Sequence, residues 1–193
     1  MERQRIVVLD MEGVVVPEIW VAVAERTGID ALRRTTRDEP DYEVLMRYRL
    51  DLLAEHGLTM SLIHEVLAGL DPLPGARQFL DELRSRHPVV LLSDTFEQFA
   101  AALSPKLGLP AILCHRLDVD LATDRITGYR LRMADQKRAA VEAFRSLSYE
   151  VRAAGDSYND TSMLLAADAG YLFRAPPNVI EEFPQLEPLE AYD

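Results

Sequence analysis

Two carboxylates follow directly on an apolar run near the start of the sequence. Asp10 and Glu12 come after Ile6–Leu9, in which three of the four residues are β-branched. Because no polar residue alternates with these apolar ones, the run is typical of a strand buried on both faces of a parallel sheet. In open α/β sheets, ligands bind at the carboxyl edge of the strands. Asp10 is therefore a candidate for chemistry, although a single aspartate at a strand end more often caps a helix.

Three later stretches supply the groups that Asp10 needs as a nucleophile. Ser93 follows a second apolar run, Asp156 and Asp160 follow a later one, and Lys137 starts the helix before that later run. Taken singly, the two aspartates are explained by a turn and a helix cap, and the lysine by a solvated surface position. Because parallel strands end at one edge of a sheet, all of these side chains are expected to converge there.

The chemistry of such a convergence is phosphoryl transfer. Carboxylates that meet at one place repel one another unless a hard cation joins them, and Mg²⁺ prefers oxygen ligands. The cation, the Lys137 ammonium, the Ser93 hydroxyl and neighbouring helix N–H groups would together offset the charge of a bound phosphate. An aspartate held against that phosphate can attack it and form an aspartyl-phosphate. These residues predict Mg²⁺-dependent phosphoryl transfer with Asp10 as the nucleophile.

The composition is that of an ordinary soluble globular protein. The 193 residues are 48% hydrophobic and 27% charged, which suits one domain with a small insert. The net charge of −11, with no basic cluster longer than Arg33-Arg34, argues against nucleic acid or an anionic membrane surface as a partner. Cys114 is the single cysteine, so neither an internal disulfide nor a thiolate zinc site is expected. Without a secretory leader or an apolar run near membrane-spanning length, the sequence favours a reducing cytoplasm.

Helical signals dominate residues 15–70. A first helix is predicted over residues 18–27 and ends at Gly28, a second runs over about residues 41–56, and Thr59 caps a third. No strand pattern interrupts these helices. We interpret the segment as a small helical cap inserted after the first strand.

Strands and helices alternate in the remainder of the chain. Residues 1–14 and 71–193 are therefore interpreted as a catalytic α/β core, a doubly wound parallel sheet of the Rossmann type. A β-hairpin is predicted from residues 116–120 and 126–133, separate from a short strand at residues 111–114.

Two more local predictions concern the helix after Ser93 and the end of the chain. Thr95 and Gln98 have the spacing of a capping box that opens a helix. The proline-rich tail after residue 173 is expected to be extended and packed across the core. The tail and the hairpin also leave a homodimer open as the oligomeric state.

Four short motifs resemble those of the haloacid dehalogenase superfamily, in the order that the family has them. They are Asp10-x-Glu12-Gly-Val, Leu-Leu-Ser93-Asp-Thr, Lys137, and Gly-Asp156-Ser-x-Asn159-Asp160. The resemblance covers nearly the whole chain, and the helical insert resembles the cap of the phosphoserine phosphatase branch. Asp-x-Glu-Gly-Val, Pro-Glu-Ile-Trp and Ser-Asp-Thr-Phe are similar to the bifunctional subgroup of that branch, which also transfers the phosphoryl group from phosphoserine to homoserine.

The resemblance implies a role for each acidic motif residue. Asp10 matches the nucleophile. Glu12 stands where most members have a second aspartate, the acid/base that protonates the leaving alcohol and then activates the acceptor. The extra methylene of Glu12 displaces this carboxylate, whereas its backbone carbonyl can still bind the Mg²⁺ ion. Asp156 matches a side-chain metal ligand, and Asp160 matches either a further ligand or a residue that orients water on the metal.

The resemblance also implies that the cap recognises an amino acid, with L-phosphoserine and homoserine as small-molecule substrates. Glu18 is expected to bind the substrate ammonium and Arg49 its carboxylate, because a planar guanidinium offers a bidentate contact. Arg47, two positions earlier on the same helix, is expected to point elsewhere. The motif residues implied at the substrate are Ser93, Asp94, Thr95, Lys137 and Asn159, of which Ser93 and Lys137 are also implied to be catalytic.

Three other interpretations fit parts of the sequence. The same fold can hydrolyse another small phosphate monoester. A receiver-like phospho-acceptor module, which is not an enzyme, also gathers strand-end carboxylates, a hydroxyl and a lysine around Mg²⁺, but such modules are shorter and have no inserted cap. A dehalogenase does not need the metal site that Asp156 and Asp160 imply.

Histidine and aromatic residues carry weaker signals. Trp20 is expected in the core, and Tyr42 is a candidate on the cap side. The four histidines show no metal-ligand spacing and are expected on the surface or in the core: His56, His64, His87 and His115.

Overall fold

A seven-stranded sheet forms the centre of the protein. The computed structural model describes residues 3–36, 38–39 and 41–192. The strands are β1 (Arg5–Leu9), β2 (Val89–Phe96), β3 (Ala111–Asp120), β4 (Arg125–Arg130), β5 (Glu150–Gly155), β6 (Ala169–Phe173) and β7 (Glu187–Leu189). They lie in the order β4-β3-β2-β1-β5-β6-β7, and all neighbours are parallel except β3 and β4, which form an antiparallel hairpin.

Helices connect the strands and cover both faces of the sheet. They are α1 (Ile19–Thr27), α2 (Tyr42–Glu55), α3 (Met60–Ala68), α4 (Ala76–Arg86), α5 (Glu97–Leu103), α6 (Gln136–Ser146), α7 (Thr161–Ala166) and α8 (Pro177–Glu182), with short 3-10 turns at Asp30–Arg33 and Tyr158–Asp160. None of these helices combines the length and apolar character that a bilayer crossing requires, over the part of the chain described.

Strand β1 divides the core into two layers. Val7 and Leu9 belong to the apolar cluster shared with α1, α3, α4 and α5, whereas Ile6 and Val8 belong to the cluster shared with α6, α7 and α8. Successive side chains of a strand point to opposite faces, so an uninterrupted apolar run is buried on both. The predicted fold class, a doubly wound α/β sheet, is confirmed.

The helical insert begins and ends its helices where the sequence signals predict. Asp41 accepts hydrogen bonds from the N–H groups of Glu43 and Val44 at the start of α2, and Thr59 accepts one at the start of α3. Gly28 follows α1 in the left-handed conformation, with φ of 72°. These elements connect β1 to α4; the boundaries of a separate cap at residues 15 and 70 remain a prediction.

Two local predictions near the hairpin are wrong. Residues 111–120 form one continuous strand, β3, because its first part pairs with β2 and its second part with β4. Thr95 and Gln98 form no capping box, since Thr95 still lies in β2 and α5 starts at Glu97. The Gln98 amide instead exchanges two hydrogen bonds with the backbone of Leu117, at 2.8 and 3.0 Å, and so ties α5 to β3.

The tail contains a helix and a strand, whereas the sequence predicts an extended segment throughout. Pro177 occupies the first turn of α8, a position that needs no N–H donor, and β7 then adds a parallel edge strand to β6. Beyond β7, the Tyr192 hydroxyl donates a 2.6 Å hydrogen bond to the carbonyl of Val14. Its ring stacks on Phe79 and Phe173, with centroid distances of 4.8 and 4.9 Å.

The two connections between the insert and the sheet meet beside Tyr192. The N–H of Leu73, in the returning connection, donates a 3.0 Å hydrogen bond to the carbonyl of Val15, in the outgoing one. Gly75 has φ of 85°, and a side-chain carbon there would lie 3.4 Å from the Tyr192 ring. Tyr192 therefore contacts both connections at once.

Candidate active site

Three aspartates meet at the carboxyl edge of the sheet. Asp10 follows β1 and Asp156 follows β5, and these strands are parallel neighbours. The N–H of Asp10 donates a 2.9 Å hydrogen bond to the carbonyl of Ala154, which keeps the two strand ends together. Asp160 lies in the 3-10 turn that follows. One carboxylate oxygen of each aspartate lies within 4.8 Å of the others, and all three side chains are buried.

Two glycines make this close approach feasible. Gly13 has φ of 76°, and a side-chain carbon there would collide with the Asp156 carboxylate. A side-chain carbon at Gly155 would collide in the same way with the Asp160 carboxylate. The sequence thus has no side chain where the acidic loops come together.

Lys137 lies at the centre of these carboxylates. Its Nζ donates hydrogen bonds to Asp10 Oδ1 at 2.9 Å and to Asp160 Oδ1 at 2.7 Å, and it is 3.4 Å from Asp94 Oδ2. Burial alone would lower the pKa of the Lys137 ammonium, but the three carboxylates raise it well above its usual range. Burial and the charges of Asp160 and Asp156 together outweigh Lys137 and raise the pKa of Asp10.

The donor set fits a hard divalent cation. Burial and mutual repulsion disfavour several ionised carboxylates, and one lysine does not remove this cost at Asp10. Carboxylate oxygens are the ligands that Mg²⁺ prefers. Asp160 Oδ2 already accepts hydrogen bonds from the N–H groups of Asp156 and Ser157, at 3.0 and 3.2 Å. Its carboxylate therefore also fixes the loop that carries Asp156.

Ser93 and Asp94 reach the site through a bulge in β2. Leu92 is opposite Leu113 of β3 and Phe96 is opposite His115, so three residues of β2 face one of β3 between these pairs. Such extra residues leave the regular ladder and redirect side chains. Ser93 is buried, and its Oγ accepts a 3.2 Å hydrogen bond from the N–H of Thr95.

Glu12 is directed toward the first helix of the insert. Its Oε2 accepts a 2.9 Å hydrogen bond from the N–H of Ile19, the first residue of α1. Burial, reinforced by the nearby charge of Glu18, raises the pKa of Glu12 to about 7. Glu18 immediately precedes α1 and lines the same cavity.

Arg49 of α2 is a buried cation directed into the site. One of its terminal nitrogens donates a 2.9 Å hydrogen bond to the carbonyl of Arg34, and the guanidinium lies 4.7 Å from the centroid of the Trp20 ring. Its Nε is the one buried side-chain nitrogen or oxygen without a hydrogen-bond partner within the described ranges. Burial lowers the pKa of Arg49 to about 10. Arg47, by contrast, is exposed.

These side chains surround a cavity of about 60 Å³. Most of the residues proposed from the sequence line it: Asp10, Glu12, Glu18, Arg49, Ser93, Asp94, Lys137, Asp156 and Asn159. Thr95 and Asp160 are buried behind this lining and contact it through Ser93, Asp156 and Lys137. The lining also includes Trp20, Thr35, Thr36, Tyr42 and Ser157.

Of these additional residues, Tyr42 was a sequence candidate and Trp20 was expected in the core. Trp20 is buried, as the sequence predicts, and it also lines the cavity. Thr35 and Thr36 lie in the irregular connection before α2, where no periodic pattern could have indicated them. Tyr42 donates a 2.8 Å hydrogen bond to the carbonyl of Asp94 and so joins the insert to the β2 bulge.

A second cavity of about 340 Å³ adjoins the first. The two share Thr36, Tyr42, Asp94, Lys137 and Asn159. The far wall of the second cavity includes His115 and Gln136, both of which are buried.

Comparisons with known proteins identify the family of this chain. The haloacid dehalogenase-like hydrolase family matches residues 4–168. Phosphoserine phosphatase ThrH of Pseudomonas aeruginosa is 59% identical over 185 residues, covering 96% of this chain and 90% of that protein. A phosphoserine phosphatase of Pseudomonas syringae pv. tomato is 58% identical over 185 residues, covering 96% of this chain and 78% of that protein. A solved substrate-bound phosphoserine phosphatase complex shares the fold, with a TM-score of 0.82 at 21% identity over 100% of this chain and 96% of that one.

Proposed function

Because this chain belongs to the haloacid dehalogenase-like hydrolase family, we propose that it is a phosphoserine phosphatase that works through an aspartyl-phosphate. The observation that carries this proposal is the position of Asp10. Its carboxylate lies at a strand end, 2.9 Å from the Lys137 ammonium and beside Asp156 and Asp160. The high identity to the two Pseudomonas phosphoserine phosphatases supports the substrate.

We propose that Mg²⁺ is the cofactor of this site. Asp10, Asp156 and the backbone carbonyl of Glu12 would hold the ion, and Asp160 would fix the Asp156 loop and orient water. When bound, the ion offsets the charge of the phosphoryl oxygens and of the clustered carboxylates.

Each side chain of the cavity then has its own role in the reaction. An Asp10 carboxylate oxygen attacks phosphorus, and the bond from phosphorus to the serine oxygen breaks. Glu12 gives that oxygen its proton and afterwards takes a proton from the acceptor hydroxyl. Lys137, with three carboxylate neighbours, stays charged and attracts the phosphoryl oxygens, and the Ser93 hydroxyl is placed to bind one of them.

Recognition of the amino acid falls to the insert. The Arg49 guanidinium, with an unpartnered Nε, is suited to the substrate carboxylate, and Glu18 to the ammonium. We propose that residues 15–70 act as a cap that opens for substrate. The cavity of about 60 Å³ is well below the size of ordinary ligand pockets.

We further propose that the aspartyl-phosphate is transferred to homoserine as well as to water. The support is the motif set Asp-x-Glu-Gly-Val and Ser-Asp-Thr-Phe, with Asp94 lining the cavity. The two reactions would serve serine and threonine biosynthesis. The cytoplasmic location and the homodimer expected from the sequence remain predictions.

The test is product analysis with L-phosphoserine and Mg²⁺, with and without homoserine. The proposal predicts serine and phosphate in the first tube and additional phosphohomoserine in the second. Phosphate alone in both tubes would reduce the proposal to hydrolysis. Asp10→Asn should abolish both products, while Asp51→Asn, a change on the exposed face of α2, should leave them unaltered.

Two results would redirect the assignment. Turnover of other phosphate monoesters but not of phosphoserine would support phosphatase activity and assign it a different substrate. A stable phosphoprotein without turnover would favour the phospho-acceptor module.

A further inference from the structure

Asp94 divides its two carboxylate oxygens between two sets of partners. Oδ2 faces the active site, where it accepts a 3.1 Å hydrogen bond from Asn159 Nδ2 and lies 3.4 Å from Lys137 Nζ. Oδ1 faces away from it, toward Gln136 Nε2 at 3.2 Å and His115 Nε2 at 3.5 Å. The orientation of the carboxylate therefore depends on groups on both sides.

The backbone fixes the tautomer of His115. The N–H of Arg132 donates a 3.1 Å hydrogen bond to His115 Nδ1. An acceptor nitrogen holds a lone pair, so the proton of the neutral ring is on Nε2, the nitrogen that faces Asp94. His115 is 4% exposed, and turning the imidazole to present another edge would break the hydrogen bond from the Arg132 N–H.

Gln136 supports the same arrangement. Its Oε1 accepts a 3.0 Å hydrogen bond from Arg132 Nε, which directs the amide nitrogen toward the β2 bulge. There Nε2 donates to the Ser93 carbonyl at 2.6 Å as well as to Asp94. Burial opposes ionisation of Asp94, but Lys137 and the hydrogen bonds from His115, Asn159 and Gln136 hold its pKa well below its usual range.

We propose that His115 is a positioning residue that acts through Asp94. By holding Oδ1, the imidazole N–H, with Gln136 beside it, turns Oδ2 toward Lys137 and Asn159. The ammonium then keeps a fixed place between Asp94, Asp10 and Asp160. We expect this positioning to affect kcat, the rate of the chemical step, and not KM. The contacts from His115 through Asp94 to Lys137 do not include Arg49 and Glu18, the groups proposed to bind the amino-acid part of the substrate. This inference rests on the proposed function of Asp10 and Lys137.

The two amide substitutions of histidine separate this role from simple packing. A glutamine amide can place an N–H where Nε2 lies, whereas an asparagine amide reaches only the Nδ1 position. We expect His115→Asn to lower kcat for L-phosphoserine about 10-fold with KM within about threefold, as for other partners that orient active-site groups. His115→Gln should keep kcat within about threefold of the unaltered enzyme. The exposed His56→Asn is the matched control and should change neither constant.

A double-mutant cycle with Asp94→Ala tests the route of the effect. If His115 acts through Asp94, His115→Asn causes no further loss of kcat in the Asp94→Ala background. Equal losses in both backgrounds, or a His115→Gln variant as impaired as His115→Asn, would overturn the proposal. Full kcat in Asp94→Ala alone would also overturn the proposal. We expect this variant to fold, because the Asp94 side chain lies on the β2 bulge and is partly exposed.

The cycle can be interpreted even if the substrate assignment fails. Should the unaltered enzyme release no phosphate from L-phosphoserine, the proposed function fails, and the same four proteins are measured with p-nitrophenyl phosphate. The pattern of kcat losses then tests the Asp94 connection by itself.

Discussion

Glu12 Oε2 accepts a 2.9 Å hydrogen bond from the N–H of Ile19, so an acid beside the candidate nucleophile also caps the first helix of the insert. A carboxylate at a helix N-terminus pairs one of the orphan N–H groups. The proposed acid/base is thus linked to the start of the segment that we propose to act as a cap over the substrate. Protonation of Glu12 weakens its hydrogen bond to the N–H of Ile19. Conversely, movement of the insert away from the site would change the surroundings of the Glu12 carboxylate.

Glu12→Gln should stabilise the metal-free protein at high pH. Burial and Glu18 raise the pKa of Glu12 from 4.5 to about 7, so the folded state holds this proton more tightly than the unfolded chain. Stability contributed by the protonated form is therefore lost as the pH rises from about 4.5 through 7. Glutamine avoids this ionisation and can still accept the Ile19 N–H. In EDTA, we expect its free energy of unfolding, relative to unaltered protein, to rise by about 2 kcal/mol from pH 5 to pH 8.

Urea unfolding at the two pH values measures this difference. Glu55→Gln, on the exposed face of α2, is the control and should show no such rise. Parallel stability curves for Glu12→Gln and unaltered protein would contradict a raised pKa at Glu12.

Arg49→Ala should weaken binding of substrates that carry a carboxylate. A charge-assisted pair contributes about 1.5–3 kcal/mol, which corresponds to an increase of roughly 10- to 100-fold in KM for L-phosphoserine. O-phosphoethanolamine, which lacks the carboxylate, should show little change in KM. Steady-state kinetics with both substrates measure the contrast, and the exposed Arg47→Ala is the control. An equal rise for both substrates would assign Arg49 to the structure of the insert instead.

Mg²⁺ should stabilise the protein through Asp156. A ligand at about 100 times its Kd raises the free energy of unfolding by about 2.7 kcal/mol when only the folded state binds it. We expect thermal unfolding to shift upward with Mg²⁺ in the unaltered protein and in Asp51→Asn, and not in Asp156→Asn. An undiminished shift in Asp156→Asn would place the ion elsewhere.

Cys114 should resist thiol reagents in the folded protein. Burial, aided by the charge of Glu97, raises the pKa of this thiol to about 11, so very little thiolate is present at pH 8. We expect alkylation by iodoacetamide to be about 100-fold slower than for the same residue in urea, where an ordinary thiol pKa applies. Mass spectrometry of timed samples gives both rates. Comparable rates would mean that β3 opens readily around Cys114.

The sequence predicted the meeting of Asp10, Ser93, Asp156 and Lys137 because the geometry of a parallel sheet requires it. Strands that run in one direction end at one edge, so three apolar runs place Asp10, Ser93 and Asp156 together, and Lys137 begins the helix that leads into the third of these runs. The helix signals at Asp41 and Thr59 succeeded for a related reason, since each cap is satisfied within three residues of the signal.

Predictions failed where distant partners override a local pattern. Thr95 and Gln98 match a capping box, yet the pairing of Phe96 with His115 extends β2 beyond Thr95, and the Gln98 amide bonds to the backbone of Leu117. His115 is buried, in line with the expectation that the histidines lie on the surface or in the core, but the sequence did not indicate its contacts. Its partners, Asp94 and Arg132, lie 21 and 17 positions away, and no short motif joins the three. Such contacts become visible only after the strands are paired.

The contact between Tyr192 and Val14 also has a consequence for biosynthesis of the protein. The two residues are 178 positions apart, so ribosomal synthesis delivers one partner long before the other. The sheet edge with Asp10, Ser93 and Asp156 can assemble while both connections to the insert still lack this contact. Non-local contacts of such separation form late because the intervening loop must first be closed. The newly made enzyme should therefore pass through a stage in which its acidic site exists but its insert is held less firmly.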